Sequence, residues 1–307
     1  MTSETAFIEA LRALATHEAA RGLVDDAAVI EMGGVSFVLT SDTIVAGVHF
    51  LATDPPEDVG WKLAAVNLSD LAAKGARPLA CLMNYALTGD EDWDKGFLSG
   101  LKEALDSHAM PLIGGDTVAL PKGAPGVYTL TAIGEGPACG VPSRAGAHAG
   151  DILCVTGNIG DAGLGLALAR RGGSEPASCL RAYRRPKPLL ADGQALAPLV
   201  HAMMDVSDGV LIDASRMAVA SGLHVEIAVD RLPLSPEVLS SGTDELAVRL
   251  SAATAGDDYQ LLFAVAPGTA LPITANIIGR FEEGQGLTLS NRGSSVPVPP
   301  KLGYLHC

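Results

Sequence analysis

The stretch that most constrains this chain is residues 61–78, because its pattern predicts a helix that is buried on most of its sides. The predicted helix begins near residues 54–58, where an aspartate and prolines suit the first turn and further acids suit the positive end of the helix dipole. Gly75 and Pro78 end it. Between these signals most side chains are small or aliphatic, so the helix should meet the rest of the protein on most of its surface.

Polar residues nevertheless occupy the middle of this helix, at Asn67, Ser69 and Asp70. A carboxylate inside an apolar, alanine-rich helix destabilises the fold by several kcal/mol unless it is paired or binds a metal ion. Two explanations therefore stay open for Asp70: an ion pair with a nearby lysine or arginine, or a metal site. The distribution of acids along the rest of the chain bears on this choice.

The composition favours tightly packed α/β layers. The chain has 307 residues, of which 48% are hydrophobic and only 4% aromatic, and it contains 35 glycines. This length and hydrophobic content suffice for one large or two medium domains with real cores. Small residues at this frequency suit close backbone approaches better than an aromatic-lined groove.

The net charge of −14 argues against a nucleic-acid partner and against an acidic membrane surface. An anionic substrate would need divalent cations between itself and so acidic a protein. The chain has no apolar run of about 18 residues, the length that a membrane span requires, and no signal-peptide pattern at its beginning. We therefore expect a cytoplasmic protein without membrane contact.

Strand and helix patterns alternate along the chain. Strands are predicted at residues 27–30, 35–40, 79–87, 111–113, 127–133, 151–155, 224–229, 260–265 and 273–280. Helices are predicted at residues 4–20, across the central stretch, at 93–108, from 161 through 171, and at 189–203, 210–220 and 244–253. Several consecutive strands lack helix-length crossovers, so we predict an α/β (α+β) protein with mixed sheets.

A change of composition marks the predicted domain boundary. Residues 134–150 hold five glycines and two prolines, which is typical of a linker. We therefore divide the chain into an N-terminal domain, residues 1–138, and a C-terminal α/β domain, residues 139–307. The strand that starts at residue 111 is expected to break at Gly114-Gly115-Asp116-Thr117.

Aspartates beside glycine, serine or threonine recur at the ends of predicted elements. They are Asp25-Asp26, Asp42, Asp70, Asp116, Asp205 with Asp208, and Asp257-Asp258. Each position alone also fits a helix cap or a turn. Together they offer the hard oxygen ligands with which a few carboxylates and substrate phosphates hold Mg²⁺. Several Mg²⁺ ions on a polyphosphate would also reconcile an acidic protein with an anionic substrate.

Other chemistries lack their signatures. The chain has no G-x-x-x-x-G-K-[ST], no G-x-S-x-G and no H-E-x-x-H, and the glycines of residues 157–165 do not follow G-x-G-x-x-G. The five cysteines are scattered, and the dispersal of the seven histidines argues against a zinc site. The basic cluster at residues 184–188 fits either a solvated loop or a loop that faces phosphate.

Eight segments, in order, resemble the motifs of the thiamine-monophosphate kinase family. They are residues 23–28, 41–50, 65–78, 113–117, 143–147, 155–157, 205–210 and 256–259, with a weaker match at Gly303-Tyr304. The family belongs to the aminoimidazole ribonucleotide synthetase-like superfamily. The resemblance implies a two-domain fold, a homodimer whose N-terminal strands form a shared barrel, and ATP bound in the cleft between the domains.

The implied activity is ATP-dependent phosphorylation of thiamine monophosphate to thiamine diphosphate. The phosphoryl group would pass in line to a phosphate oxygen that is already anionic, so the resemblance implies no covalent step and no general base. Several Mg²⁺ ions would assist, with ATP as co-substrate.

The resemblance also implies roles for individual residues. The positions that match magnesium ligands are Asp26, Thr40, Ser41, Asp42, Asp70, Asp116, Asp205 and Asp208. The positions that match ATP contacts are Gly115, Asp116, Arg144 and Ser207, and those that match thiamine monophosphate contacts are His49, Asp257 and Tyr304. The chain departs from the family pattern at Val24, where a glycine is usual, at Ser41 in place of threonine, and at Asp257 in place of glutamate.

Two alternatives are kept. The hydrogenase-maturation branch of the superfamily ends in a reactive cysteine, and Cys307 is terminal here, but that branch lacks the Gly-Val-His-Phe element of residues 47–50. A non-catalytic metal- or nucleotide-binding protein on the same scaffold would not need so complete an acidic set.

Overall fold

The structure, a computed structural model, describes residues 4–305, so Cys307 lies outside the described part of the chain. Its strands are β1 Ala28–Met32, β2 Val35–Val45, β3 Arg77–Leu87, β4 Leu112–Ala119, β5 Val127–Glu135, β6 Ile152–Val155, β7 Ala202–Asp205, β8 His224–Ala228, β9 Leu261–Val265, β10 Asn276–Glu282, β11 Gly286–Asn291 and β12 Ser294–Val296. Its α-helices are α1 Glu4–Arg12, α2 Pro56–Ala73, α3 Glu91–Ser107, α4 Asp161–Arg170, α5 Ala177–Arg184, α6 Leu190–Leu196, α7 Val210–Ser221, α8 Pro236–Leu239 and α9 Glu245–Ala253, and 3₁₀ turns span Glu18–Leu23 and Val229–Arg231.

The first sheet has the order β1-β2-β5-β3-β4, in which only the β3–β4 pair is parallel. Buried and half-buried residues alternate along β5, as in a strand that turns one face to a core. Helices α2 and α3 cover that face, and Leu63, Leu71, Phe97 and Tyr128 belong to the resulting core. The helix predicted around residues 61–78 is thus present, and it is buried from Val59 to Ala73 apart from the half-buried Trp61.

The second sheet has the order β12-β11-β8-β10-β6-β9-β7 and combines one parallel pair, β8–β11, with antiparallel neighbours. Its interior strand β9 is buried at every position, as a strand covered on both faces must be. Both sheets are therefore mixed, which confirms the predicted fold class. Within residues 4–305, no helix is both long enough and apolar enough to cross a membrane.

Helix α2 joins the two halves of the molecule. Ala72 and Ala73, at its end, share a core with Met203 and Phe263 of the second sheet. Gly193 of α6 lies so close to α2 that a Cβ atom there would stand 1.9 Å from the Ala72 carbonyl oxygen. The segment between the two sheets contains the boundary that we predicted at residues 138/139, and the exact division stays a prediction.

Several sequence predictions about single elements were wrong. Strand β4 does not break at Gly114–Thr117, because it stays paired with β3 in parallel register from Leu82↔Gly114 to Leu87↔Ala119. The helix predicted at residues 189–203 ends at Leu196, and the buried strand β7 follows it. A short apolar run does not by itself distinguish a buried strand from a buried helix. The helix predicted at residues 4–20 ends at Arg12.

Other predictions misjudged element ends or missed elements. Asp54 does not cap α2, since its carboxylate accepts the Leu51 N–H and pairs with Arg184. Strand β3 starts before Pro78, where a register shift accommodates the missing N–H. Helices α5 and α8 and strands β11 and β12 were not predicted, and the strand predicted at residues 273–280 spans Asn276–Glu282.

We expect Gly193→Ala to destabilise the protein by about 1–3 kcal/mol, the usual range for overpacking, although alanine is the better helix former. The reason is the closeness of the Ala72 carbonyl, which leaves no room for a methyl group. Urea unfolding of parent and variant measures the effect. Gly173→Ala is the control, because a Cβ there would meet only ordinary contacts at 3.5 Å. Equal stability of Gly193→Ala and parent would contradict the packing argument.

Candidate active site

A cleft of about 630 Å³ opens where the two domains meet, and both domains contribute to its walls. Ten of the predicted site residues line it: Asp26, Asp42, His49, Asp70, Arg144, Asp205, Ser207, Asp208, Asp257 and Tyr304. They come from strands, turns and a helix that are far apart in sequence. The fold therefore gathers most of the acidic and polar set into one place.

Helix α2 forms the floor of the cleft with the polar residues that stood out in the sequence. The Thr40 hydroxyl donates to the Asp70 carboxylate, and Ser69 Oγ donates to Asp205 Oδ2 over 2.5 Å. Asn67 Oδ1 accepts the backbone N–H of Asp42 over 3.0 Å. Side chains of α2 and β2 thus hold the carboxylates of Asp70 and Asp205 and the β2 backbone at Asp42 around the cleft.

Asp70 has no basic partner: among the ion pairs of the described residues, none involves it. Burial raises its pKa well above the usual range, and the carboxylates of Asp42, Asp205 and Asp26 raise it further. Burial and the nearby Asp26 and Asp208 likewise raise the pKa of Asp42 to about 6. The ion-pair explanation for Asp70 is therefore wrong. Its neighbours are other acids, the arrangement expected of a cation site.

Two basic residues compensate a different part of the acidic set. Lys74, fully buried at the end of α2, pairs with both Asp25 and Asp26, and Arg144 pairs with Asp26. Burial alone would raise the pKa of Asp26, but Arg144 and Lys74 outweigh it and hold that pKa below the usual value. Burial is outweighed by Lys74 at Asp25 as well, where the pKa falls to about 2. Both carboxylates thus stay ionised.

The turn after β7 positions Asp208. Gly209 has φ = +124°, a conformation that other residues rarely adopt, and Asp213 Oδ2 accepts the backbone N–H groups of Asp208 and Gly209. Arg216 Nη1 bridges Asp208 Oδ2 over 2.5 Å and Asp213 Oδ1 over 2.9 Å. The turn is therefore held by charge-assisted bonds before any ligand arrives.

The part of the cleft around Asp257 has a different character. Lys62 Nζ donates to Asp257 Oδ2 over 2.6 Å and to the His49 carbonyl over 3.0 Å, and Tyr259 Oη donates to Asp257 Oδ1 over 2.9 Å. The Tyr304 N–H donates to the Asp208 carbonyl, which brings the C-terminal segment to the cleft beside the acidic cluster. The three residues matched to substrate contacts therefore lie in one cleft with the acidic cluster.

Four predicted site residues do not line the cleft. Thr40 stands behind Asp70 and donates to it, whereas Ser41 is exposed and hydrogen-bonds to Thr131 of β5. Gly115 and Asp116 lie on the exposed edge strand β4, outside the cleft of their own chain. The structure thus brings Thr40 to the site indirectly and leaves the other three apart from it.

Sequence reasoning predicted Arg144 but missed three other cations at or near the site. Lys62 and Lys74 belong to the stretch that we took as small or aliphatic, and Arg216 carried no signal. Lys62 and Lys74 could have been found from the sequence, because a lysine in a buried helix requires an acidic partner. Their partners lie 195 and 49 residues away, which no local pattern reveals.

The donor atoms fit a hard divalent cation. Carboxylate oxygens of Asp26, Asp42, Asp70, Asp205 and Asp208 face the cleft. Within residues 4–305, however, no three of these carboxylates bring an oxygen each within 4.8 Å of one another. Such a set suits Mg²⁺, which is usually held by one or two carboxylates and completed by substrate phosphates and water.

Two family models match the chain. AIR synthase related protein, N-terminal domain, matches residues 24–135, and AIR synthase related protein, C-terminal domain, matches residues 148–290. Together they define a two-domain protein of the AIR synthase related class, in agreement with the two sheets and the cleft between them.

Individual relatives indicate which family within this class the chain resembles. The thiamine-monophosphate kinase of Caulobacter vibrioides is 39% identical over 301 residues, which cover 92% of this chain and 84% of the relative. The structure of AaThiL complexed with AMPPCP and TMP superposes with a TM-score of 0.87 at 30% identity, covering 99% of this chain and 97% of that one. The chain belongs to the thiamine-monophosphate kinase family, which confirms the resemblance drawn from the motifs.

The alternative branch shares the architecture. The hydrogenase maturation protein HypE has a TM-score of 0.73 at 20% identity and covers 93% of this chain and 95% of its own. That similarity is one of fold.

We expect Asp70→Asn to leave the ligand-free protein at least as stable as the parent, because the change removes charge repulsion and keeps an oxygen that accepts from Thr40. Asp25→Asn is the matched control with the opposite expectation. It weakens the pairing of the buried Lys74 and should destabilise the fold by about 3 kcal/mol. Thermal melts in EDTA compare the three proteins. A melting temperature for Asp70→Asn as low as that of Asp25→Asn would overturn the cation-site interpretation.

Proposed function

We propose that this chain catalyses the ATP-dependent phosphorylation of thiamine monophosphate to thiamine diphosphate, a step of thiamine diphosphate biosynthesis. The observation that carries the proposal is the cleft itself, which is lined both by acids that outnumber their basic partners and by the polar residues His49, Asp257 and Tyr304. The near-complete superposition on AaThiL, a protein complexed with AMPPCP and TMP, supports the same reaction. Because ATP is a cytoplasmic co-substrate, we propose a cytoplasmic location.

We propose Mg²⁺ as the cation, held by Asp26, Asp42, Asp70, Asp205 and Asp208. When bound, Mg²⁺ neutralises phosphate charge and aligns the phosphate oxygens. The pairing of Lys74 and Arg144 with Asp26 keeps that carboxylate ionised and ready to bind. The Ser69 and Thr40 hydroxyls orient Asp205 and Asp70 from behind, as the groups around metal ligands commonly do.

The remaining polar groups suit the two substrates. Arg144 Nε is buried and makes no hydrogen bond within the described residues, so the guanidinium keeps a donor for a phosphate oxygen. Asp257, held by Lys62 and Tyr259, and His49 face the end of the cleft assigned to thiamine monophosphate. The acceptor oxygen is an anion near neutral pH, so these residues act by positioning and by charge, without a general base.

We expect the protein to convert Mg-ATP and thiamine monophosphate into ADP and thiamine diphosphate, and to stop when EDTA removes the metal. Asp70→Asn should lower kcat at least about 100-fold, the effect of losing one strong charge-stabilising contact. Chromatographic measurement of both products tests this. Asp106→Asn, in an exposed pair with Lys102, is the control and should keep the parent rate.

Two outcomes would refute the proposed reaction. One is full turnover without divalent metal, and the other is ATP consumption that produces no thiamine diphosphate. Deletion of Cys307 distinguishes the proposed kinase from the hydrogenase-maturation branch, which needs a reactive terminal cysteine. The proposed transfer has no covalent step, so a folded truncation should keep its kinase activity.

His49→Ala should raise the KM for thiamine monophosphate about 10-fold, the equivalent of one hydrogen bond to a charged group, and change the KM for ATP much less. The reason is that His49 lines the cleft, and Lys62 donates both to its carbonyl and to Asp257. Steady-state kinetics with each substrate varied in turn measures the difference. His224→Ala, on β8, is the control. Equal increases of both KM values would count against a substrate role.

We further propose that the chain forms a homodimer through its first sheet, with residues 1–138 and 139–307 as the domains of each subunit. Every residue of the edge strand β4 is exposed, including the apolar Leu112, Ile113 and Val118. A row of exposed hydrophobic residues on an edge strand is a typical association surface. Gly115 and Asp116 on this strand would then serve the nucleotide site of the partner.

Mixing two inactive variants tests this arrangement. If Asp116 acts across the interface, a heterodimer of Asp70→Asn and Asp116→Asn subunits contains one intact site. Statistical mixing should then restore roughly a quarter of the parent activity. If Asp116 acts within its own chain, both sites of the heterodimer remain defective. Sedimentation measurements establish the dimer independently of activity.

A further inference from the structure

A second cluster of potential metal ligands lies outside the cleft, at the opposite end of β7. His148 Nδ1 stands 3.2 Å from His201 Nδ1, and His201 Nδ1 stands 2.9 and 3.0 Å from the two oxygens of Asp151. One ligand atom from each residue lies within 4.8 Å of the other two. The histidines are scattered in sequence, but the fold brings two of the seven together beside a buried carboxylate.

We propose that His148, Asp151 and His201 bind a divalent transition-metal ion of the Zn²⁺ type. Zinc–ligand bonds of about 2.0–2.1 Å in tetrahedral geometry place neighbouring ligand atoms about 3.3 Å apart. The observed separations of 3.2 Å between nitrogens and 2.9–3.0 Å between nitrogen and oxygen are close to that spacing. Two imidazoles and one carboxylate are ligands that zinc accepts, with a fourth position open to water.

The three ligand atoms of the cluster face one another with more lone pairs than hydrogens. If neutral His201 carries its hydrogen on Nε2, the lone pair of Nδ1 faces the Asp151 carboxylate. A protonated His201 Nδ1 has one hydrogen, which would have to serve Asp151 and the His148 nitrogen together. A metal ion replaces this single shared hydrogen with three separate bonds.

The backbone holds the three ligands in place. Gly146 packs against His201 so closely that a Cβ would lie 2.0 Å from the His201 carbonyl oxygen. The His201 N–H donates to the Ala264 carbonyl over 2.9 Å, and the His148 N–H donates to Asp151 Oδ2 over 2.8 Å. Asp151 is buried, whereas His148 is exposed, so an ion can enter from solvent. A site with so little freedom needs little reorganisation to bind.

The site has a structural consequence for the cleft. His148 follows Arg144 by four residues, and His201 precedes Asp205 by four residues along β7. A bound ion would therefore tie the segment that carries Arg144 to the strand that carries Asp205. Its nitrogen ligands also separate it from the oxygen-only cleft, because imidazole favours zinc and carboxylate sets favour magnesium.

The test is a Zn²⁺ titration of the whole protein by calorimetry, with Mg²⁺ in large excess to occupy the acidic cleft. We expect the parent to bind one equivalent. Mutation of a group that hydrogen-bonds to a metal ligand lowers metal affinity about 10- to 100-fold. Loss of a ligand itself, in His148→Ala, His201→Ala or Asp151→Asn, should therefore weaken Zn²⁺ binding more than about 100-fold. His224→Ala and Cys139→Ser are the controls, and both should bind as the parent does.

Two further measurements distinguish loss of metal binding from misfolding of a variant. Circular dichroism establishes that each variant is folded, and His148→Ala alters an exposed side chain, so it should fold as the parent does. Co²⁺ added in place of Zn²⁺ should give the visible absorption of a tetrahedral nitrogen–oxygen site in the parent and not in His148→Ala. Equal Zn²⁺ affinity of parent and the His148→Ala/His201→Ala double variant would overturn the proposal, as would loss of binding in Cys139→Ser alone. No nucleotide is present, so the outcome is independent of kinase activity.

Discussion

The structure depends on how charge is buried along helix α2. Lys74 and Lys62 are almost completely buried, at 0% and 2% exposure, and each is paired with aspartates. Asp70, on the same helix, is 9% exposed and has acids for neighbours. An interior ion without a partner is among the most destabilising features that a protein can contain. The helix therefore balances its own cations with aspartates and leaves the charge of its own Asp70 unbalanced, at the floor of the cleft.

This imbalance links stability to ligand binding. The carboxylates of Asp42, Asp70 and Asp205 all have raised pKa values, for which burial is the largest cause and repulsion by neighbouring carboxylates a second. An acid whose pKa is raised by folding makes the folded state less stable as the pH rises through that pKa. A cation among these carboxylates would remove the repulsion, so binding and folding favour each other. The cleft is built for charge that the ligands supply.

Local patterns predicted what depends on neighbours in sequence. The burial of α2 and the turn at Asp205–Asp208 follow from residue types within a few positions, and both are present. The strand end predicted before Asp42 was wrong, because β2 continues through Asp42 to Val45 in pairing with β5. Pairing across long distances could not be read in this way. Lys74 meets Asp25 across 49 residues, and His148 meets His201 across 53, because the sheet topology places them together. Short strands such as β7 were misassigned because a run of three buried apolar residues fits a helix equally well.

The same helix explains how the cleft keeps its geometry. Ser69 donates to Asp205, Lys74 donates to the Met203 carbonyl over 3.1 Å, and Lys62 pairs with Asp257, so three buried polar contacts of α2 reach into the second domain. A hinge motion that separated the domains would have to expose or unpair these groups, each at a substantial free-energy cost. Phosphoryl transfer between two anions needs little covalent help from a protein, but it needs reacting oxygens held in line and charge neutralised in advance. Helix α2, which contacts both domains through buried charged groups, can hold the reacting oxygens in line. The unpaired acids of the cleft provide for charge neutralisation once cations bind to them.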